Sequence, residues 1–166
     1  MNQPVYYSRL VSPVGELLLV SDGTALTAVS IEPHDCDPEA EPGWRRDDAL
    51  LAGARKQLWA YFAGELFDFD LALAPKGTDF QRRVWAELRR VPFGRTASYA
   101  ELARRVGQPG AARAVGSANR CNPLAVIVPC HRIIAADGTL GGYAGGLDRK
   151  RWLLRHEADV LARRPG

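Results

Sequence analysis

Near the end of the chain, Pro129-Cys130-His131-Arg132 follows an apolar run at 124–128 and leads into Ile133-Ile134. A cysteine fixed by a preceding proline and followed by a base and a cation has the ingredients of a nucleophile. The thiolate is the reactive form, and basic or cationic neighbours increase its population. Downstream, Leu153-Leu154-Arg155-His156-Glu157 supplies a carboxylate that would complete a Cys130–His131–Glu157 relay. Taken alone the pattern is ambiguous, because a single cysteine in apolar sequence is also an ordinary inert core residue. The cysteines Cys36, Cys121 and Cys130 are odd in number and unrelated in spacing, and the N-terminus Met1-Asn2-Gln3-Pro4 lacks a basic and apolar leader pattern. These features predict reduced thiols in the cytoplasm rather than a disulfide framework. No stretch approaches the roughly 20 apolar residues of a membrane span.

The elements that must position these groups divide by charge. Residues 1–74 hold 5 Lys/Arg against 12 Asp/Glu, net −7, whereas residues 75–166 hold 17 against 7, net +10. A basic half, almost entirely arginine, suits a polyanion such as nucleic acid. The predicted organisation is an N-terminal domain over 1–74 and a C-terminal domain over 75–166, with the boundary at Pro75-Lys76-Gly77. In the first, strands are expected at 5–11, 16–21 and 24–31, with Asp22-Gly23 as a hairpin signal. A mobile acidic loop containing Pro33, Pro38 and Pro42 is expected over 32–46. Asp47 or Asp48 should cap a helix with Leu50, Leu51, Ala54, Leu58, Tyr61 and Phe62 on its apolar face, stopped at Gly64. Alternating Phe67, Phe69, Leu71 and Leu73 predict a fourth strand.

The second half reads as helical. Thr78-x-x-Gln81 and Ser98-x-x-Glu101 are capping-box signatures, the first opening a helix with Phe80, Val84, Trp85 and Leu88 that closes at Pro92 and Gly94. The second opens a short helix through Val106, and after the turn Gly107-Gln108-Pro109-Gly110 a further helix runs from Ala111 towards Cys121. Two short helices about a Gly-containing turn form a helix-turn-helix pattern. Ala111, Ala112, Ala114, Gly116, Ser117 and Ala118 leave the second helix nearly bare, with Arg113 and Arg120 as its long charged side chains. Small residues suit close packing on one face. A major-groove reader carries several polar side chains, so the bare helix predicts a minor-groove, sequence-indifferent contact. The apolar run 124–128 is expected to be a buried strand or extended segment. The fold class expected is α/β (α+β), a small antiparallel-sheet-plus-helix domain followed by a mainly helical, winged-helix-like domain.

Ile127-Val128-Pro129-Cys130-His131-Arg132-Ile133-Ile134 closely resembles the active-site signature of the O6-alkylguanine–DNA alkyltransferases, the methylated-DNA–protein-cysteine methyltransferases. The similarity extends through Ser98-Tyr99, Ala111-Ala112-Arg113-Ala114-Val115-Gly116, Asn122-Pro123, Gly142-Tyr143-Ala144-Gly145-Gly146 and Trp152-Leu153-Leu154-Arg155-His156-Glu157. These blocks cover nearly all of residues 78–157, and the first half resembles the family's variable α/β domain more weakly. The resemblance implies that Cys130 accepts an alkyl group irreversibly, with His131 as base through a water and Glu157 holding His131. It implies that Asn122 orients the reactive turn and that Tyr99 assists the departing guanine and crowds the adjacent phosphate. Arg113 would fill the gap left by a flipped nucleotide, with Arg95 and Arg120 as further DNA contacts. Tyr143, Val128, Ile133, Ala144, Gly145 and Gly146 would line the pocket.

The implied partner is double-stranded DNA, read through the minor groove by a monomer, with O4-alkylthymine as a second substrate. No cofactor is expected. Some family members hold zinc with N-terminal Cys and His residues; the first half here offers only His34 and Cys36, too few for a four-ligand site, and no metal is expected. Ala144 stands where some relatives place Ser. The alternative is a helix-turn-helix regulator or damage sensor without chemistry, against which the Cys-His pair counts. A cofactor-dependent methyltransferase is disfavoured because the glycines at 141–146 lack a strand-to-helix βαβ context.

Overall fold

The computed structural model describes residues 3–164, so Met1, Asn2, Pro165 and Gly166, and the part of the leader reading that falls on Met1-Asn2, lie outside the described residues. Contacts divide the chain into two units, one running to Lys76 and including Pro123–Ala125, the other formed by Gly77–Asn122 and the chain from Val126 onward. The fold class is the mixed α/β arrangement expected, a small sheet unit followed by a mainly helical one.

In the first unit, β1 (Val5–Ser12), β2 (Gly15–Ser21) and β3 (Leu26–Ile31) form an antiparallel meander. The β2–β3 hairpin forms where Asp22-Gly23 predicts it: Gly23 takes φ +100° and Asp22 Oδ1 accepts from the Thr24 and Ala25 amides at 2.8 Å each. The central strand β2 buries Leu17, Leu18, Leu19 and Val20, and α1 (Ala52–Phe62) buries Ala54, Leu58 and Tyr61.

Three expectations for this unit are corrected. The fourth strand is not 67–73 but β4 (Trp44–Arg46), paired in parallel with β1 at the sheet edge, so the order is β3-β2-β1-β4. Segment 67–73 makes only a single bridge, Leu26 with Leu73, because the Gln57 side chain satisfies both the amide (2.8 Å) and the carbonyl (2.9 Å) of Asp70. The acidic stretch 32–46 is not a free loop: it ends in β4, and Arg9 binds Glu39 at 2.6 Å and Glu16 at 2.5 Å. The helix expected from Asp47 or Asp48 starts at Ala52 without a side-chain cap. Asp47 accepts from the Leu50 amide in a preceding turn, and Asp48 is occupied by Ser8 and Arg46.

In the second unit, α2 (Asp79–Leu88) and α3 (Tyr99–Arg105) both carry complete capping boxes, Thr78 with Gln81 and Ser98 with Glu101. α4 (Ala112–Arg120) packs against both, and Trp85 Nε1 donates to the Ala118 carbonyl at 2.8 Å. Its buried face is Val115, Gly116, Ala118 and Asn119, its exposed stripe Arg113, Ala114, Ser117 and Arg120. β5 (Ala97–Ser98) and β6 (Ile133–Ile134) form a two-stranded parallel ribbon, and α5 (Leu147–Arg163) closes the unit.

The turn after α2 requires Gly94. Its φ is +77°, and an added Cβ would lie 2.1 Å from Leu161 Cδ1 on α5. Backbone strain and overpacking act together there, so Gly94→Ala is expected to destabilise by about 2 kcal/mol or more in urea unfolding. Gly53→Ala in α1 meets no atom within 4 Å and should be neutral or stabilising by about 0.5–1 kcal/mol.

Candidate active site

The apolar run before Cys130 is buried but is not a strand. Leu124 makes one isolated bridge with Val29, and the backbone then turns through Val126 at φ +71°. A β-branched residue in the left-handed region costs on the order of 1–3 kcal/mol and persists only where its surroundings hold it. Here Asn122 Nδ2 donates to the Val128 carbonyl at 2.8 Å, and the Cys130 amide donates to the same oxygen at 2.8 Å. Cys130 thus opens a single 3-10 turn, Cys130–Arg132, rather than ending a strand. Asn119 Nδ2, from the buried face of α4, reaches the Cys130 carbonyl at 3.3 Å.

Behind this turn lies a buried ionic cluster. Glu157 of α5, fully buried, accepts four hydrogen bonds. His131 Nε2 (2.7 Å) and Arg132 Nη2 (3.0 Å) meet Oε2; Arg132 Nε (2.8 Å) and the Gly94 amide (3.0 Å) meet Oε1. The remaining arm of Arg132 donates to the Val91 carbonyl at 2.7 Å, and its guanidinium lies 5.7 Å over the Phe93 ring. Burial alone would raise the Glu157 carboxyl, but the His131 and Arg132 contacts overcome it and hold the group far below the usual carboxylate range. Burial pulls the His131 imidazole down more than Glu157 raises it. A neutral His131 whose Nε2–H donates to Glu157 presents an unprotonated Nδ1, and Nδ1 is buried without a hydrogen-bond partner among the described residues.

Burial also pushes the Cys130 thiol up, opposed by the Asn122 amide and by the positive charge of Lys150. Burial thus favours the protonated thiol, against the thiolate that the neighbouring His and Arg favour in the sequence. Two tyrosines adjoin it. Burial and then Cys130 raise the Tyr143 hydroxyl well above its ordinary range, and this buried hydroxyl has no hydrogen-bond partner among the described residues. Burial raises the Tyr99 hydroxyl, and the Gly142 amide beside it works in the opposite sense. The Tyr99 ring lies between Gly116 of α4 and Gly141, where a Cβ would approach it to 3.7 Å and its hydroxyl to 2.8 Å respectively. Gly116 thus lies against the Tyr99 ring on the buried side of α4.

Cys130, His131, Glu157, Asn122, Tyr99 and Tyr143 are thereby brought together. Val128 and Ile133 are buried at the two ends of the reactive turn, whereas Ala144, Gly145 and Gly146 lie in the partly exposed segment leading into α5. Arg113 and Arg120 lie seven residues apart on one exposed stripe of α4, and Arg95 is exposed in the turn before β5; none is paired with a carboxylate among the described residues. His34 is engaged by Ser30 (2.8 Å) and Glu16 (3.3 Å). Sequence reasoning gave no role to Asn119 or Lys150, and read Arg132 only as a cation beside the thiol, not as the partner of Glu157. Arg132 was signalled only by adjacency to His131, and Lys150 only as a lysine among arginines.

The cluster fixes the sign of the pH dependence. Glu157 is depressed, so its stabilisation is present above about pH 4.3 and is lost as pH falls further. His131 is also depressed and folds neutral, so protonation of the unfolded chain below about pH 6.5 opposes folding in the same direction. The melting temperature is expected to fall continuously from pH 7 to pH 4. Glu157→Gln, which leaves Arg132 buried without a counter-charge, should cost about 3–5 kcal/mol at pH 7 and flatten the decline below about pH 4.3. An unchanged unfolding midpoint in urea would contradict the assignment.

Comparison with known proteins places this geometry. Residues 79–159 match the family model for the 6-O-methylguanine DNA methyltransferase DNA binding domain, and residues 5–75 match the model for the ribonuclease-like domain of the same family. The methylated-DNA–protein-cysteine methyltransferase of Mycobacterium tuberculosis is 50% identical over 153 residues, covering 92% of each chain; that of Methanosarcina acetivorans is 47% identical, covering 92% of this chain and 98% of its own. The crystal structure of the O6-methylguanine methyltransferase of M. tuberculosis superposes with a TM-score of 0.87 at 49% identity, covering 98% of this chain and 96% of the other. The M. tuberculosis protein in complex with DNA gives 0.87 at 48% identity, covering 93% and 94%. On matches spanning both units, the chain belongs to the 6-O-methylguanine DNA methyltransferase family.

Proposed function

We propose that this protein repairs alkylated DNA by transferring the alkyl group of O6-alkylguanine, once and irreversibly, to Cys130. The observation that carries the reading is the buried Cys130 thiol followed by a neutral His131 whose Nδ1 is free to take a proton while Glu157 holds the opposite nitrogen.

The bond that forms is Sγ–C and the bond that breaks is C–O6, in a displacement at carbon. The thiol proton passes to His131 Nδ1 with water as carrier, and the electron pair of the broken bond goes to the purine oxygen. A hydroxyl donor at Tyr99 stabilises that oxygen as charge develops, and the proton taken from sulfur restores neutral guanine and neutral His131 at the end. Glu157 stays ionised throughout and orients the imidazole. The thioether has no route back, so each molecule acts once. O4-alkylthymine presents the same reacting bond and is a second substrate in this reading.

The alkyl carbon is out of reach inside a stacked duplex, so the reading includes flipping of the damaged nucleotide into the segment carrying Tyr143 and residues 144–146. The exposed stripe of α4 supports a minor-groove approach by a monomer, with small Ala114 and Ser117 allowing the backbone close and Arg113 filling the vacated space. Arg95 and Arg120 add phosphate contacts that position without reading sequence. Among the described residues no helix is long and apolar enough to cross a membrane; the reading places the action on DNA in the cytoplasm.

Incubation with a duplex carrying O6-methylguanine should add one methyl group per molecule, on the Cys130 peptide, and Cys130→Ser should abolish it. An unmodified mass under saturating DNA would favour a damage sensor instead. In the same assay Arg113→Ala should slow transfer from duplex DNA at least tenfold while leaving transfer from the free modified base unchanged; equal losses on both would contradict the flipping role.

A further inference from the structure

Lys150, in the first turn of α5, is completely buried, and no carboxylate is paired with it among the described residues. Its Nζ donates instead to three backbone carbonyls, Ile133 at 2.5 Å, Leu140 at 2.5 Å and Gly142 at 3.1 Å. An ammonium carries three N–H donors and no acceptor, whereas a neutral amine would turn a lone pair towards one of these oxygens. The donor count therefore fits a charged ammonium, which burial works against by pulling the Lys150 pKa below the ordinary lysine range. Carbonyl dipoles offset only part of the several kcal/mol that burying an ion costs, so a buried lysine without a carboxylate requires an explanation.

The three acceptors supply one. Ile133 lies three residues beyond Cys130, in β6. Leu140 and Gly142 flank Gly141, whose lack of a Cβ admits the Tyr99 hydroxyl, and Gly142 precedes Tyr143. One side chain thus ties the backbone after the nucleophile to the segment that sets both tyrosines.

We propose that Lys150 is a positioning residue for alkyl transfer: it fastens residues 140–143 to β6 so that Tyr99 and Tyr143 stand beside the thiol, and its charge favours the Cys130 thiolate as the proton leaves. The second half of this statement concerns the thiol alone, while the first rests on the proposed alkyl-transfer function. The groups facing the thiol are Tyr99 from α3, Tyr143 from the pocket segment, Asn122 before the reactive turn and Lys150 from α5, with His131, Arg132 and Glu157 adjoining; of the groups that act on Cys130, Lys150 is the cation.

The test compares Lys150→Gln, which retains N–H donors without charge, with Lys150→Met, which removes both, and Lys150→Arg, which keeps the charge. One readout is the rate of Cys130 modification by iodoacetamide against pH, followed on the Cys130 peptide. The other is single-turnover methyl transfer from an O6-methylguanine duplex as a function of duplex concentration. For Lys150→Gln the alkylation midpoint should move up by about one pH unit. Saturated transfer should slow tenfold or more while the half-saturating duplex concentration stays unchanged. Lys150→Met should show the same midpoint and a larger loss of rate, and Lys150→Arg should restore the midpoint.

A Gln variant with the wild-type midpoint and rate, or with loss only in half-saturation, overturns the proposal. So does a Gln variant that has lost its near-ultraviolet circular dichroism, since Lys150 would then be a purely structural core residue. If the unmodified protein reacts with iodoacetamide but never accepts methyl from the duplex, the transfer reading fails, and the midpoint shift still decides the thiolate half.

Discussion

Glu157 is the constraint on which the second unit depends. A carboxylate removed from water carries a desolvation penalty of several kcal/mol, and it persists here because four donors converge on its two oxygens. Those donors come from the turn after α2, from His131 and from the Nε–Nη2 edge of the Arg132 guanidinium. The charge therefore fastens α5 to the reactive turn and to the Gly94 turn at once. Arg132 fits where lysine would not, because its planar fork grips both oxygens while its third nitrogen satisfies the Val91 carbonyl. Any shift of α5 along its axis would break several of these bonds together, so the nucleophile's neighbourhood is set by ionic geometry as much as by packing.

The same cluster divides chemistry from recognition. Cys130, His131 and Glu157 are buried, and burial favours the protonated thiol; a thiol in that state resists casual alkylation and oxidation, which favour exposed thiolates. In the proposed reaction, reactivity appears only when a substrate delivers its carbon and the proton has somewhere to go. The arginines proposed to meet DNA are the reverse. Arg95, Arg113 and Arg120 are exposed and free of carboxylate partners among the described residues, so their charge is available to phosphate. α4 joins the two regimes: its outer stripe bears the arginines, while its inner face places Gly116 against Tyr99 and Asn119 against the Cys130 carbonyl.

Much of this was legible in the sequence wherever a local rule decides the outcome. The capping boxes at Thr78 and Ser98 and the Asp22-Gly23 hairpin formed because each satisfies its own backbone donors within a few residues. Legibility failed where tertiary contacts override pattern. Phe67 to Leu73 alternate like a strand, but Gln57 captures the backbone that a neighbouring strand would need. Trp44–Arg46 looks like part of a polar loop and becomes an edge strand through parallel pairing to β1. The apolar run before Cys130 reports burial faithfully and conformation wrongly, since nothing local predicts that Val126 will be held at φ +71°. At the site, residue types pointed to the proposed nucleophile and base, whereas the contacts of Arg132, Asn119 and Lys150 depend on carbonyls and carboxylates distant in sequence.

The central claim is that Glu157 fixes His131 as a neutral imidazole with Nε2 protonated and Nδ1 bare. Nitrogen-15 NMR of the histidine side chains in the intact, DNA-free protein at pH 7 measures this directly. The account predicts that His131 shows a protonated Nε2 and an unprotonated Nδ1, and titrates below the ordinary histidine range. A doubly protonated His131 at pH 7, or the tautomer with the proton on Nδ1, would contradict it.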